Sequence, residues 1–142
     1  MQHPKDVGDR STLAIMYALR LQGAAIFVPF GENTRYDLIV DEGGRLSRVQ
    51  CKTGRLRNGV VKFNTCSSYA HHPNPKMIKR DYKGEIDEFA VFCPDLGAVY
   101  RIPIDDMPAL RIGNLRVAPA RNGQAKGVRL AAAYEIARFD VI

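Results

Sequence analysis

No apolar run in this 142-residue chain approaches the roughly 20 residues that a membrane-spanning helix needs. The first ten residues, MQHPKDVGDR, lack the layout of a secretory signal, so a cytoplasmic protein without membrane attachment is expected. Cysteine is scarce. Cys51, Cys66 and Cys93 stand far apart with no CxxC pair, and any intramolecular disulfide would leave one over. That usage points to reduced thiols in a reducing compartment. A zinc site would have to draw on Cys66, His71, His72 and Cys93, whose spacing matches no standard pattern. The chain also lacks internal repeats, linkers and low-complexity tracts. One domain spanning residues 1–142 is therefore expected.

What is present is ordinary for a globular protein: 46% hydrophobic and 25% charged residues, which argues against disorder. Acidic residues are outnumbered. Lysine plus arginine exceeds aspartate plus glutamate by 21 − 15 = 6, a surplus that favours a polyanionic partner without naming one.

From Asp6 to Gln22 the apolar residues Leu13, Met16, Tyr17, Ala18 and Leu21 recur at helical spacing, with Gly23 as a stop. Ile15 and Leu19 make that helix apolar on the other side too, so it needs cover from a second layer or a partner subunit. Ala24–Phe30 reads as a buried strand. Tyr36–Asp41 and Arg45–Lys52 read as a hairpin around Gly43-Gly44, with Val60–Thr65 extending the meander. Residues 67–84, with two prolines and two histidines, read as a surface loop carrying one short helix. Ile86–Phe92 and Val99–Ile104 are further strands about a turn at Pro94–Gly97. Arg111–Val117 is a short strand, and Val128–Ala137 is open to either helix or strand.

The octet RVQCKTGR (Arg48–Arg55) places polar Gln50 and Lys52 on one face of a strand and Val49 and Cys51 on the other. With Gly43-Gly44 as a two-residue loop, paired positions sum to 87. Asp37 then faces Gln50, Lys52 lies one diagonal step away, and Leu38, Val49 and Cys51 point to the core. Two readings stand: an ordinary solvated face, or a site. A carboxylate and an amide carbonyl are hard ligands for Mg²⁺, and the Cys51 carbonyl could add another oxygen. Lys52 could position or deprotonate water, or stabilise charge on a phosphate. Such a set suits metal-assisted phosphodiester hydrolysis. One carboxylate is thin for the task, so Asp9, placed in the first turn of the leading helix, is the candidate for a second. Taken alone, it reads better as a favourable helix-terminus charge.

Asp37, a short hairpin and then Gln50-Cys51-Lys52 resemble the PD-(D/E)XK nuclease motif with Gln in the (D/E) place. Gly8-Asp9, Tyr36-Asp37, Val49–Thr53, Tyr82–Asp87, Val99-Tyr100 and Ile102–Ile104 extend the likeness over most of residues 5–107. As an ordered set these blocks resemble the group I intron-associated PD-(D/E)XK homing endonucleases, with 108–142 a C-terminal extension. The resemblance implies an α/β restriction-endonuclease-like core, a mixed central sheet flanked by helices. It implies a Mg²⁺-dependent (or Mn²⁺-dependent) endonuclease acting on double-stranded DNA, as a dimer or tetramer. Asp9, Asp37, Gln50 and Lys52 would be catalytic, with Asp9, Asp37, Gln50 and the Cys51 carbonyl as metal ligands. Tyr36 stands where the motif has proline, and Gln50 removes one negative charge from the site. Arg55, Arg57 and Lys62, with Lys76, Lys79, Arg80 and Lys83, form basic clusters that read either as solvated faces or as phosphate contacts flanking the cut. Two other functions stay open: a structure-selective nuclease of the junction-resolvase kind, and a non-cleaving DNA-binding relative of the fold.

Overall fold

The structure is a computed structural model and describes residues 3–31, 33–70, 77–107, 112–118 and 129–140. It opens with helix α1 (Pro4–Leu21). His3 caps it, its Nδ1 accepting the Lys5 N–H, and Pro4 takes the first helical position, where a missing N–H costs nothing. Gly23, at φ +86°, ends it in the left-handed conformation that glycine adopts most freely.

The strands follow in chain order: β1 (Ala25–Phe27), β2 (Leu38–Glu42), β3 (Arg45–Thr53), β4 (Arg55–Arg57), β5 (Val60–Asn64), β6 (Cys66–Ala70), β7 (Met77–Asp81), β8 (Glu88–Cys93), β9 (Ala98–Pro103), β10 (Ile112–Arg116) and β11 (Glu135–Arg138). Six of them form the main sheet in the order β1-β2-β3-β8-β9-β11, antiparallel throughout except for the central β3–β8 pair. The sheet is therefore mixed, as expected. Its two faces are covered differently. Ala14, Ile15, Ala18 and Leu19 of α1 pack on one face against Leu38, Val40, Val49, Ala90, Phe92 and Val99. On the other face Val61, Phe63 and Leu115, from a three-stranded sheet β10-β5-β4, pack against Phe89, Val91 and Tyr100. Among the described residues a small sheet thus replaces the helix expected to flank that side.

Several sequence expectations need correction. The core face of α1 is the one that carries Ser11, Ala14, Ile15, Ala18 and Leu19. Leu13, Tyr17 and Leu21, spaced four apart, are 65%, 58% and 62% exposed. The strand read over Ala24–Phe30 shrinks to three edge residues, and Phe27, Val28 and Phe30 are open to solvent. β5 does not extend the hairpin. At Gly54 the chain turns out of the main sheet, and a Cβ there would stand 2.7 Å from Val61 Cγ1 and 3.0 Å from Val91 Cγ1, so only glycine passes this corner. Part of the loop expected over 67–84 is a second hairpin, β6 with β7. Within Val128–Ala137 the described residues, from Arg129 on, form a 3₁₀ turn at Ala131–Ala133 and then enter β11. His71 and His72 lie outside the described residues. Cys66 and Cys93 are free thiols, and no group of three His, Cys, Asp or Glu able to hold a metal occurs among the described residues.

One partly buried ionic node ties the layers together. Arg101 on β9 donates to Glu88 (2.6 and 3.1 Å), to Glu42 at the end of β2 (2.7 and 3.1 Å), and to Gln22 after α1 (3.1 Å). Burial opposes its charge, but the two carboxylates outweigh that and raise its pKa. Arg101→Met leaves both carboxylates without their cation, so a loss of about 2 kcal/mol is expected in urea denaturation at neutral pH, discounted for the partial exposure of Glu42. The Arg101 hydrogen bond holds Glu42 below the ordinary carboxylate range. A depressed folded pKa gives stability that is present above the unfolded value and lost as pH falls through the folded one. The gap between wild type and variant should therefore close on acidification.

Candidate active site

Asp37 immediately precedes β2, and Gln50, Cys51 and Lys52 lie near the end of β3. The register sum of 87 holds along the hairpin, from Glu42↔Arg45 to Leu38↔Val49. Positive φ at both Gly43 (+64°) and Gly44 (+92°) gives the tight turn that sets it. The ladder does not reach Asp37, and the expected Asp37–Gln50 pair is replaced by a side-chain contact. The Asp37 N–H reaches the Val49 carbonyl at 2.8 Å, and its carboxylate accepts the Cys51 N–H at 2.9 Å. One carboxylate oxygen is thereby pinned to β3 and the other is left for a ligand.

Asp37 keeps over a third of its surface open to solvent, yet its carboxyl pKa is raised, because crowding by neighbouring groups strips hydration from the charged form. The Cys51 N–H and the Lys52 charge work against that rise without cancelling it. The Cys51 thiol faces α1. Burial first, and the Asp37 charge second, push its pKa far above the usual thiol range, so it is neither nucleophile nor thiolate ligand.

Strand alternation puts Gln50 and Lys52 on the opposite face, beside their parallel partners Phe89 and Val91 on β8. The Gln50 amide N–H is a long 3.4 Å from the Cys51 carbonyl. Lys52 Nζ donates to the Tyr82 hydroxyl at 3.1 Å and lies 4.8 Å from the centre of its ring. The donors available for an ion, a carboxylate, an amide oxygen and a main-chain carbonyl, are all hard oxygens. They fit a small divalent cation that keeps much of its water.

No hydrogen bond or ion pair ties Asp9 to this group among the described residues. The helix starts at Pro4, so Asp9 falls in the second turn, exposed and without a hydrogen-bond or ion-pair partner among the described residues. The α1 residues that touch β3 do so on its other face: Ser11 bonds Thr53 at 2.6 Å, and Thr12 lies beside Cys51.

The basic residues divide. Arg55, Arg57 and Lys62 are exposed along an open groove of about 540 Å³ between the start of α1 and the three-stranded sheet, and among the described residues no carboxylate lines it. Arg55 sits directly opposite Lys62, a like-charge pair that disfavours folding unless an anion lies across it. Asn64 and Asn114 project from the exposed face of the same sheet, and no basic-cluster search could have found them. Arg80 is paired with Glu85 at 2.9 Å, so it braces a loop, and Lys83 is exposed. Lys79 has its backbone in β7, and Lys76 lies outside the described residues. Asp87 is likewise structural: it accepts the Arg48 backbone N–H at 2.7 Å and pairs with its guanidinium, which holds its pKa down.

No curated protein sequence matches the chain. Among solved structures it resembles a bacterial homing endonuclease, I-Ssp6803I, at 20% identity with a TM-score of 0.72, covering 94% of this chain and 89% of the other. A likeness at that identity speaks for the fold. The sequence itself speaks for the family: over residues 2–137 it matches the PD-(D/E)XK endonuclease model, and the chain belongs to that family.

Proposed function

We propose that the protein is a Mg²⁺-dependent (or Mn²⁺-dependent) endonuclease that cleaves double-stranded DNA at a specific site, as a homing enzyme. The observation that carries this reading is the Asp37 carboxylate locked onto the Cys51 N–H beside the Lys52 ammonium. Asp37, the Gln50 amide oxygen and the Cys51 carbonyl would hold the ion, which when bound supplies Lewis acidity to the phosphodiester. Lys52 then stands beside the phosphate as a charged donor, offsetting negative charge as it grows on the phosphoryl oxygens. The groove of Arg55, Arg57 and Lys62 supports a duplex backbone running past the site. The solved neighbour's name supports the homing role, and an intron origin stays with the sequence resemblance.

Cleavage of pooled linear duplex with Mg²⁺, against the same reaction with chelator and against a four-way junction, tests the proposal. Metal-dependent cutting of the linear duplex is expected. Preference for the junction would replace it with a structure-selective nuclease, and binding without cutting with a non-cleaving relative. In the same protein, Arg57→Ala and Lys62→Ala should each lower the slope of log Kd against log salt by about one.

The exposed stripe Leu13-Tyr17-Leu21, with Phe27, Val28 and Phe30 near the β1 edge, supports assembly into a dimer or tetramer. Sedimentation of a monomer even with DNA bound would refute it.

A further inference from the structure

We propose that Tyr82 is the positioning residue for Lys52, its phenol oxygen fixing where the ammonium points. The proposal rests on the reading of Lys52 as the group that acts on the phosphate. A lysine side chain carries much rotamer freedom, and catalysis by a point charge needs that freedom removed before substrate arrives. Tyr82 is suited to remove it. It is 5% exposed, and its hydroxyl takes the Lys52 ammonium at 3.1 Å. The Arg35 guanidinium lies 4.2 Å from the ring centre, and Phe89, the strand partner of Gln50, meets the ring edge-on at 5.7 Å. Arg35 is itself fastened, donating to the Asp81 carbonyl at 2.8 Å and lying 3.8 Å from Glu85. The ring therefore cannot swing, and the ammonium it holds inherits that order.

The choice of acceptor matters. A carboxylate would neutralise Lys52 and bury its charge in an ion pair. A neutral phenol orients the ammonium and leaves the positive charge for the incoming phosphate. Among the described residues Lys52 makes no ion pair, which fits this division.

Tyr82→Phe keeps the ring and its packing and removes only the hydroxyl. In the full chain we expect kcat for duplex cleavage to fall about 10- to 100-fold while the DNA Kd stays unchanged. The loss should vanish in a Lys52→Ala background, where nothing remains to position. A wild-type kcat in Tyr82→Phe, or an equal loss on top of Lys52→Ala, would overturn the proposal. A second measurement does not depend on cutting: the Lys52 ε-protons should show an upfield ring-current shift by NMR, reduced in Tyr82→Phe, where the ammonium loses its acceptor, and lost in Tyr82→Leu. Absence of that shift in wild type also overturns the proposal. A shift present in a protein that cuts no DNA refutes the nuclease reading, and the positioning role with it.

Discussion

Asp37→Asn should abolish metal-dependent cleavage, by a factor of about 10³ or more, and leave the fold intact. The factor is large because Asp37 is the carboxylate held beside Lys52, one of its oxygens fixed on the Cys51 N–H. Asn keeps the shape, and its amide oxygen can still accept the Cys51 N–H that Asp37 takes at 2.9 Å. The variant therefore tests charge and not architecture. Its stability should also differ in a telling way. Burial raises the Asp37 pKa. A carboxyl with a raised folded pKa contributes stability that is fully present below its unfolded value and is lost as pH rises through the folded one. At neutral pH the metal-free wild type thus carries an ionised group in an unfavourable place, and Asn removes that cost. The variant's Tm without metal should equal or exceed wild type. Saturating Mg²⁺ should then raise only the wild-type Tm, the gain corresponding to about 2.7 kcal/mol at a hundred times Kd. A lower metal-free Tm, or a Mg²⁺ shift that survives in Asn, would place the ion elsewhere. The same raised pKa makes protons compete with the ion, so activity should fall on acidification before ordinary carboxylates titrate.

The hairpin that carries this site was legible because it is local. Two glycines fix the turn, the turn fixes the register, and the alternation of Leu38, Val49 and Cys51 against Gln50 and Lys52 follows. What lies beyond the hairpin depends on partners remote in sequence. That β3 pairs in parallel with β8, and that β5 leaves for a second sheet, turns on a corner where Gly54 meets Val61 and Val91. Pattern alone cannot tell that glycine from any other. In α1 both faces are apolar, and periodicity does not say which one the sheet takes. The sheet takes the face of Ala14, Ile15, Ala18 and Leu19 and leaves Leu13, Tyr17 and Leu21 outside. The Asp37 contact escaped for a related reason: a side chain standing in for a ladder bond has no signature in alternation. Tyr82 stood within the Tyr82–Asp87 block, but its role depends on a contact thirty residues away.

Lys52→Ala should lower kcat by about 10²–10³ and leave DNA affinity within about twofold of wild type. The two parameters separate because different residues serve them. Affinity comes from Arg55, Arg57 and Lys62 along the groove, where several cations share the backbone and the loss of one charge outside it changes little. Lys52 is set apart on the face of β3 that meets Tyr82, where its charge acts on one phosphate as negative charge accumulates there. Alanine removes that charge and leaves the Tyr82 hydroxyl without its donor, at little cost to the core, since Tyr82 keeps Phe89 and Arg35 against its ring. Lys52→Arg should recover little. A planar guanidinium is wider than an ammonium and cannot both bond the phenol and present a point charge in the same place. Single-turnover cleavage and anisotropy binding on the same duplex measure the two quantities separately. A Lys52→Ala protein that binds tenfold more weakly but cuts at the wild-type rate once saturated would move Lys52 from the chemistry into the binding groove. The retained positive charge of Lys52→Arg would then be expected to restore affinity in full.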